Sequence, residues 1–210
     1  MHDSPLTLAG QPLATASHAL ILLHGRGSSA VDILALARYL PVADYALLAP
    51  QATGHSWYPQ SFLAPPAHNE PYLTAALAAV GRAVALAASH GIDPARTYLL
   101  GFSQGACLTL EYAARHATRY GGVAAFTGGL IGDQVYPERY AGDFGGTPCL
   151  LASADPDPHV PAARVRASAA LITTLGAAVT EQITPGMGHT VTQPQLSLAS
   201  ELIFKPVPSH

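Results

Sequence analysis

Apolar residues along this chain fall into two alternating patterns. Short continuous apolar runs, stopped by Gly or Pro, predict buried strands at 18–24, 45–49, 97–102, 122–126, 149–152 and 178–183. Between them the apolar positions take helical spacing: Ile33, Leu34, Ala37 and Leu40; Leu73, Leu77, Val80 and Val84; Ala106, Cys107, Leu110 and Ala114; Val165, Ile172 and Leu175. The punctuation agrees with helix chemistry. Ser29 with Asp32, and Thr192 with Gln195, have the spacing of capping pairs, the second opening a final helix that runs to Phe204. Asn69 is placed to cap a helix with Pro71 near its start, while Gly91 and Gly176 stand just past helix ends. Residues 5–16 read as a short hairpin or ragged edge strands. Strands alternating with helices predict a mostly parallel sheet covered on both faces, in one domain spanning 1–210.

In such sheets ligands bind at the carboxyl ends of the strands. Every loop of chemical interest here follows a strand: 25–29, 51–69, Ser103, 153–161 and 184–190. The sharpest of these junctions is Gly101-Phe102-Ser103-Gln104-Gly105. A bare G-x-S-x-G is a weak signal, and an ordinary helix N-cap would explain Ser103 equally well. The strand before it and the helix after it are the context the motif requires. That junction strains the pivot residue and stands the hydroxyl at the end of the sheet, in front of free helix N–H groups.

A serine hydroxyl needs a base in reach, and the base needs an orienting acid. With a strand–elbow–helix nucleophile the partners follow in chain order, acid and then histidine. The downstream histidines are His116, His159, His189 and His210. His116 falls late in the elbow helix and His159 precedes the helix at Pro161. His189 follows the last strand in Pro185-Gly186-Met187-Gly188-His189, where glycines free the backbone to aim the ring, so His189 is the candidate base. Two acids, Asp155 and Asp157, follow the strand at 149–152; both precede Pro, as turn residues do, and spacing does not choose between them. An oxyanion hole needs two backbone donors. The N–H of Gln104, directly after the nucleophile, and that of Arg26, in His24-Gly25-Arg26-Gly27, are the candidates. The Arg26 side chain is open to an ion-pairing role.

Composition narrows the classes. The chain has 210 residues, 49% hydrophobic and 11% charged, with a net charge of −3. There is no basic run, which argues against a nucleic-acid partner. No apolar run reads as membrane-spanning and the N-terminus lacks a basic n-region, so a cytoplasmic protein with no stable membrane insertion is expected. Cys107 and Cys149 each sit in an apolar stretch and read as buried free thiols. Ten histidines prompt a zinc enzyme, but no His-x-His, no helical His-x₃-His and no Cys-x₂-Cys supports one, so neither metal nor cofactor is expected.

Several pieces together resemble one family. Leu23-His24-Gly25-Arg26-Gly27, Trp57-Tyr58, Gly101-Phe102-Ser103-Gln104-Gly105-Ala106, Asp157-Pro158-His159-Val160-Pro161 and Gly186-Met187-Gly188-His189 span nearly the whole chain in order. They resemble the phospholipase/carboxylesterase family of small α/β-hydrolases, which includes the acyl-protein thioesterases, and are most similar to bacterial members with His-Gly-Arg-Gly. The resemblance implies an α/β-hydrolase fold with a minimal lid or none, and a serine carboxylesterase acting on short- to medium-chain esters through an acyl-enzyme. It implies Asp157 as the acid, because the family's acid precedes Pro-x-Val-Pro, and Arg26 and Gln104 as oxyanion donors. One departure is that Ser153 and Ala154 stand where the family commonly carries His-Gly.

Only 51–69 and 128–147 are long enough to roof a site. Trp57, Tyr58, Phe62, Leu63, Leu130, Ile131 and Met187 are therefore the candidate acyl-pocket walls, with core packing the alternative for each. Lysophospholipid or acyl-thioester hydrolysis and a non-catalytic binding module are the competing functions. A dienelactone hydrolase would want cysteine where Ser103 stands. Partners reduce to a small ester substrate, with the chain a monomer or a homodimer.

Overall fold

The computed structural model describes residues 1–204; His210, considered above, lies outside the described residues. Seven strands form one sheet: β1 (Thr7–Gly10), β2 (His18–Leu23), β3 (Tyr45–Ala49), β4 (Thr97–Phe102), β5 (Gly122–Phe126), β6 (Pro148–Asp155) and β7 (Ala178–Pro185). Their spatial order is β1-β3-β2-β4-β5-β6-β7, with β1 antiparallel to β3 and every other pairing parallel. Among the described residues five α-helices cover it: α1 (Ala30–Leu34), α2 (Tyr72–Ser89), α3 (Gln104–Arg115), α4 (Ala162–Thr174) and α5 (Gln193–Leu202). This is the α/β-hydrolase architecture.

Crossover handedness fixes which face each helix takes. The chain steps from β2 outward to β3 through α1, then reverses and runs β3, β4, β5, β6, β7. Thus α1 lies on one face and α2, α3 and α4 on the other, while α5 returns to the face of α1. Strand side chains divide accordingly: Ala19, Ile21 and Leu23 pack under α2 and α3, whereas Leu20 and Leu22 pack under α1 and α5. The reversal leaves β2 and β4 adjacent at the switch point, where ligands bind in open α/β sheets.

The differences from expectation have local causes. Of the two readings of residues 5–16 the edge strand holds, since Thr7–Gly10 pairs antiparallel with β3 at the sheet's edge. Past Leu34 the helix tightens to 3₁₀ over Ala35–Tyr39, and Pro41 holds Leu40 extended. Strands β6 and β7 run on to Asp155 and Pro185, three rungs beyond the apolar core, because the ladder continues through Ser153↔Ile183 to Asp155↔Pro185. Asn69 does not cap α2. Its side chain is buried and bonds the loop before it, through Gln60 N at 2.8 Å and Ser61 O at 3.0 Å. The N-terminus of α2 is served by Glu70, which accepts from Thr74 N at 3.0 Å.

Contrary to the sequence reading, α2 is long and apolar enough to cross a membrane on length and composition alone. Its environment gives that apolarity a different cause. The helix packs against α3 and β2, with Leu73, Ala76, Val80, Ala83 and Ala87 fully enclosed.

Candidate active site

Ser103 sits at φ 55°, ψ −120°, between the last residue of β4 and the first of α3. For a non-glycine residue that conformation stores about 1–3 kcal/mol. The fold holds it from both sides: Ser103 N donates to Phe126 O at 2.9 Å, and Cys107 N donates to Ser103 O at 3.0 Å. The flanking glycines are required for close approach. A Cβ on Gly101 would overlap Gly105 O and Thr109 Oγ1, and one on Gly105 would overlap the carbonyls of Leu23 and His24.

The loops after β4, β6 and β7 meet in a single hydrogen-bonded chain. Ser103 Oγ lies 2.8 Å from His189 Nε2, and His189 Nδ1 lies 2.8 Å from Asp157 Oδ2. An ionised carboxylate can only accept, so the ring carries its proton on Nδ1 and leaves Nε2 free to accept from the serine. Gly186 and Gly188, both at positive φ, turn the loop so that the ring faces the elbow. Because β6 and β7 are paired to their ends, the acid and histidine loops leave adjacent strands.

Asp157 has an enclosed carboxylate, 0% exposed against 19% for the His189 side chain. Burial alone would raise its pKa. The N–H groups of His159 and Val160, at 2.8 and 2.9 Å from Oδ1, together with the His189 ring, outweigh that and hold it below the ordinary carboxylate value. Asp155 is exposed at the end of β6, and its carboxylate has no partner among the described residues; its carbonyl accepts from Gly186 N at 3.0 Å. His116 caps the far end of α3, stacked on Tyr112. His159, set aside in the sequence reading as merely preceding a helix, stands edge-on to His189 with ring centroids 4.9 Å apart.

The two candidate oxyanion donors flank Ser103. Neither Arg26 N–H nor Gln104 N–H meets an acceptor among the described residues. The Arg26 side chain makes no ion pair among the described residues. Its guanidinium donates to Tyr58 O, Pro59 O and Gln60 O at 2.8–3.0 Å. Gln104 bonds the same loop, accepting from Trp57 N and donating to Tyr58 O, both at 2.9 Å. His24 supports the base of this region. Its Nδ1 donates to Gly25 O and its Nε2 accepts from Ala52 N, the tautomer set by those partners, while burial pushes its pKa below the ordinary histidine value.

A cavity of about 660 Å³ opens in front of Ser103, with Gln104, His159 and His189 in its wall. Of the residues read as acyl-pocket walls, Tyr58, Phe62 and Leu63 line it. Trp57, Leu130, Ile131 and Met187 do not. Trp57 is fully buried, its indole donating to His24 O at 2.9 Å, so it is a structural strut beneath the loop. Leu130 and Ile131 are fully buried because Ser168 and Glu111 pin their backbone N–H groups at 2.9 and 3.0 Å, folding the 128–147 excursion onto the core. Met187 stays on the His189 loop outside the wall. Pro59, Phe102, Cys107, Pro158 and Val160 add to the apolar lining. Among the described residues no group of three or more His, Cys, Asp or Glu side chains is arranged to hold a metal ion.

The family model described as Phospholipase/Carboxylesterase matches residues 10–205. A solved phospholipase/carboxylesterase from Dyadobacter fermentans is 45% identical, with a TM-score of 0.96 over 97% of this chain and 98% of that one. The solved esterase PE8 is 28% identical, with a TM-score of 0.78 over 93% and 95% of the two chains. Acyl-protein thioesterase 1 of Gibberella zeae is 29% identical over 120 residues, which is 56% of this chain and 51% of that protein. The matched region therefore spans about half the length of that relative.

Proposed function

The chain belongs to the phospholipase/carboxylesterase family of hydrolases, and from that premise we propose that it is a serine carboxylesterase acting on short- to medium-chain esters through an acyl-enzyme. The observation that carries this is the unbroken Ser103–His189–Asp157 chain, with 2.8 Å at each link, opening into the cavity. Ser103 Oγ attacks the ester carbonyl as His189 Nε2 takes its proton. The imidazolium forms beside the Asp157 carboxylate, which Asp157 can accommodate because it is already ionised. The tetrahedral oxyanion is received by Arg26 N–H and Gln104 N–H. His189 then protonates the departing alkoxide, leaving the acyl group on Ser103. Water, deprotonated by His189, enters along the same path and releases the acid. Tyr58, Phe62 and Leu63 give the acyl chain an apolar surface.

A fluorophosphonate probe should label the protein with unit stoichiometry, and Ser103→Ala should abolish both labelling and all but about 10⁻⁴ of the esterase activity. A Ser103→Ala protein that stays folded and keeps most of its p-nitrophenyl butyrate turnover would end the proposal. The Gibberella zeae relative favours a second reading, hydrolysis of an acyl thioester by the same steps. The ratio of kcat/KM on an acyl-CoA to that on a p-nitrophenyl ester of equal chain length separates the two. The cytoplasmic setting remains part of the proposal. It is supported by two buried free thiols, Cys107 and Cys149, each pushed by burial up to about 12.

A further inference from the structure

The loop at residues 56–61, of which 58–61 line the cavity, has an unusual set of anchors. Its backbone is held by polar side chains, two of them from elsewhere in the chain. Tyr58 O alone accepts from three of them: Arg26 Nη2, Gln104 Nε2 and Ser56 Oγ, each at 2.9 Å. Two of these donors belong to the residues whose backbone N–H groups face the developing oxyanion. The same two side chains hold the neighbouring peptides as well, Arg26 on Pro59 O and Gln60 O, and Gln104 on Trp57 N.

Arg26 has particular need of such an anchor. It lies between Gly25 and Gly27, and Gly27 sits at φ 78°. Glycine on either side gives the Arg26 peptide more rotational freedom than any other flanking pair would. The peptide that carries its N–H is tied only within its own turn: Gly25 O accepts from His24 Nδ1 at 2.8 Å and from Ser28 N at 3.2 Å, and the next peptide is held by Gly27 N donating to His55 O at 2.8 Å. Gln104, by contrast, is fixed by the first turn of α3. An oxyanion hole works only if both donors point at one place before the charge arrives. Those ties hold Arg26 N–H within its own turn, so something must also fix that turn relative to α3. Among the described residues the one atom that both side chains reach is Tyr58 O.

We propose that Arg26 and Gln104 are positioning residues through their side chains, and that their common acceptor, the Tyr58 carbonyl oxygen, sets the separation and aim of the two oxyanion-hole N–H groups. This rests on the serine-esterase reading above and adds to it a role for groups that do not touch substrate. It also makes the 58–61 wall and the oxyanion hole one hydrogen-bonded unit. An acyl chain lying along this wall then presses on the element that aims the hole, which ties acyl recognition to transition-state stabilisation.

Arg26 is solvent-facing and Tyr58 O keeps two other donors when it is removed, so Arg26→Ala should fold. The test compares wild type, Arg26→Ala and Arg26→Lys on p-nitrophenyl butyrate, with thermal melts alongside. A donor misaimed by a fraction of an ångström to one ångström should cost Arg26→Ala about 10–100-fold in kcat, with KM within about threefold. The affinity for a trifluoromethyl ketone, whose adduct carries the oxyanion, should fall by the same factor. Arg26→Lys should recover little, since an ammonium cannot span three carbonyls as the planar guanidinium does. Added ethylguanidinium should restore part of the Arg26→Ala kcat. A purely structural role would lower the melting temperature without moving the kcat-to-KM split or responding to ethylguanidinium.

Gln104→Met closes a double-mutant cycle. With a shared acceptor, the double variant should be little worse than the poorer single one, because the aim is already lost. If the Arg26→Ala kcat stays within about threefold of wild type, or if the two losses simply multiply, the proposal is overturned. Fluorophosphonate labelling of wild type and Ser103→Ala is run in parallel. Labelling at Ser103 with an unaffected Arg26→Ala rejects this inference alone, whereas Ser103→Ala with full activity rejects the esterase reading beneath it.

Discussion

Replacing Asp157 by Asn changes one atom and, on the geometry of this site, disables the base. Asp157 uses its two oxygens differently. Oδ1 accepts from His159 N and Val160 N at 2.8 and 2.9 Å, and Oδ2 faces His189 Nδ1 at 2.8 Å. Two backbone donors on one side can be satisfied only by an oxygen, so an Asn side chain must place its carbonyl there and turn its NH₂ toward the ring. His189 Nδ1 then has to accept, which moves the ring proton to Nε2. That nitrogen faces Ser103 Oγ and can no longer take its proton. The imidazolium also loses its carboxylate. The expected cost is about 10⁴-fold in kcat, or roughly 5.5 kcal/mol, with KM nearly unchanged because the carboxylate does not touch substrate. Asp155→Asn alters an exposed carboxylate without a partner among the described residues and leaves its carbonyl bond to Gly186 N in place, so it should cost less than about tenfold. Both variants are assayed on one p-nitrophenyl ester, and thermal melts establish that each is folded. A folded Asp157→Asn within tenfold of wild type would refute the tautomer argument. A folded Asp155→Asn that proves the more damaging of the two would move the acid to Asp155.

Acid should destabilise the fold well above the carboxylate range. Burial lowers the pKa of His2 and His24, so between their folded values and about 6.5 the unfolded chain binds protons that the folded chain does not. Their contribution to stability is complete above about pH 6.5 and falls as pH drops below it, by up to about 1.4 kcal/mol per pH unit for each histidine. Urea melts between pH 7 and 5 should show this slope, and His24→Asn should flatten it; a pH-independent midpoint contradicts the argument. Glu111 is fully enclosed, bonded to Arg115, Ile131 N and Tyr140 Oη at 2.7–3.0 Å. Glu111→Ala should cost about 3 kcal/mol or more by leaving these partners unmatched, and the loss should appear as a lower midpoint in the same melts.

The strands and the elbow were legible in the sequence because their signals are local. A buried strand needs an unbroken apolar run, and β3, β4 and β5 begin and end where those runs do. Ser103 and His189 were legible for a related reason: each stands next to glycines that the backbone requires, at the end of a strand. The acid was not legible from spacing. Asp155 and Asp157 share turn chemistry, and what separates them is the set of bonds each can reach after the chain has folded.

The loop at 51–69 was the least legible part, and its physics says why. Its length marked it as functional, yet four of its neighbouring aromatic and apolar residues divide between wall and strut. Tyr58, Phe62 and Leu63 face the cavity while Trp57 is buried beneath them. No periodicity assigns those faces, because the loop has no regular repeat. They are set by groups that no local pattern connects: the side chains of Arg26 and Gln104 on Tyr58 O, that of Asn69 at the loop's end on Gln60 N and Ser61 O, and the backbone carbonyl of His24 accepting from the Trp57 indole. Each of those polar residues carried a plausible local role instead, as an ion-pairing group, a helix start or an N-cap. A side chain that satisfies a distant backbone leaves no mark on its own neighbours, so a loop built this way becomes readable only when its anchors are in place. By the same reasoning, exchanging an anchor such as Asn69 should disturb the cavity wall more than exchanging any single residue of the wall itself.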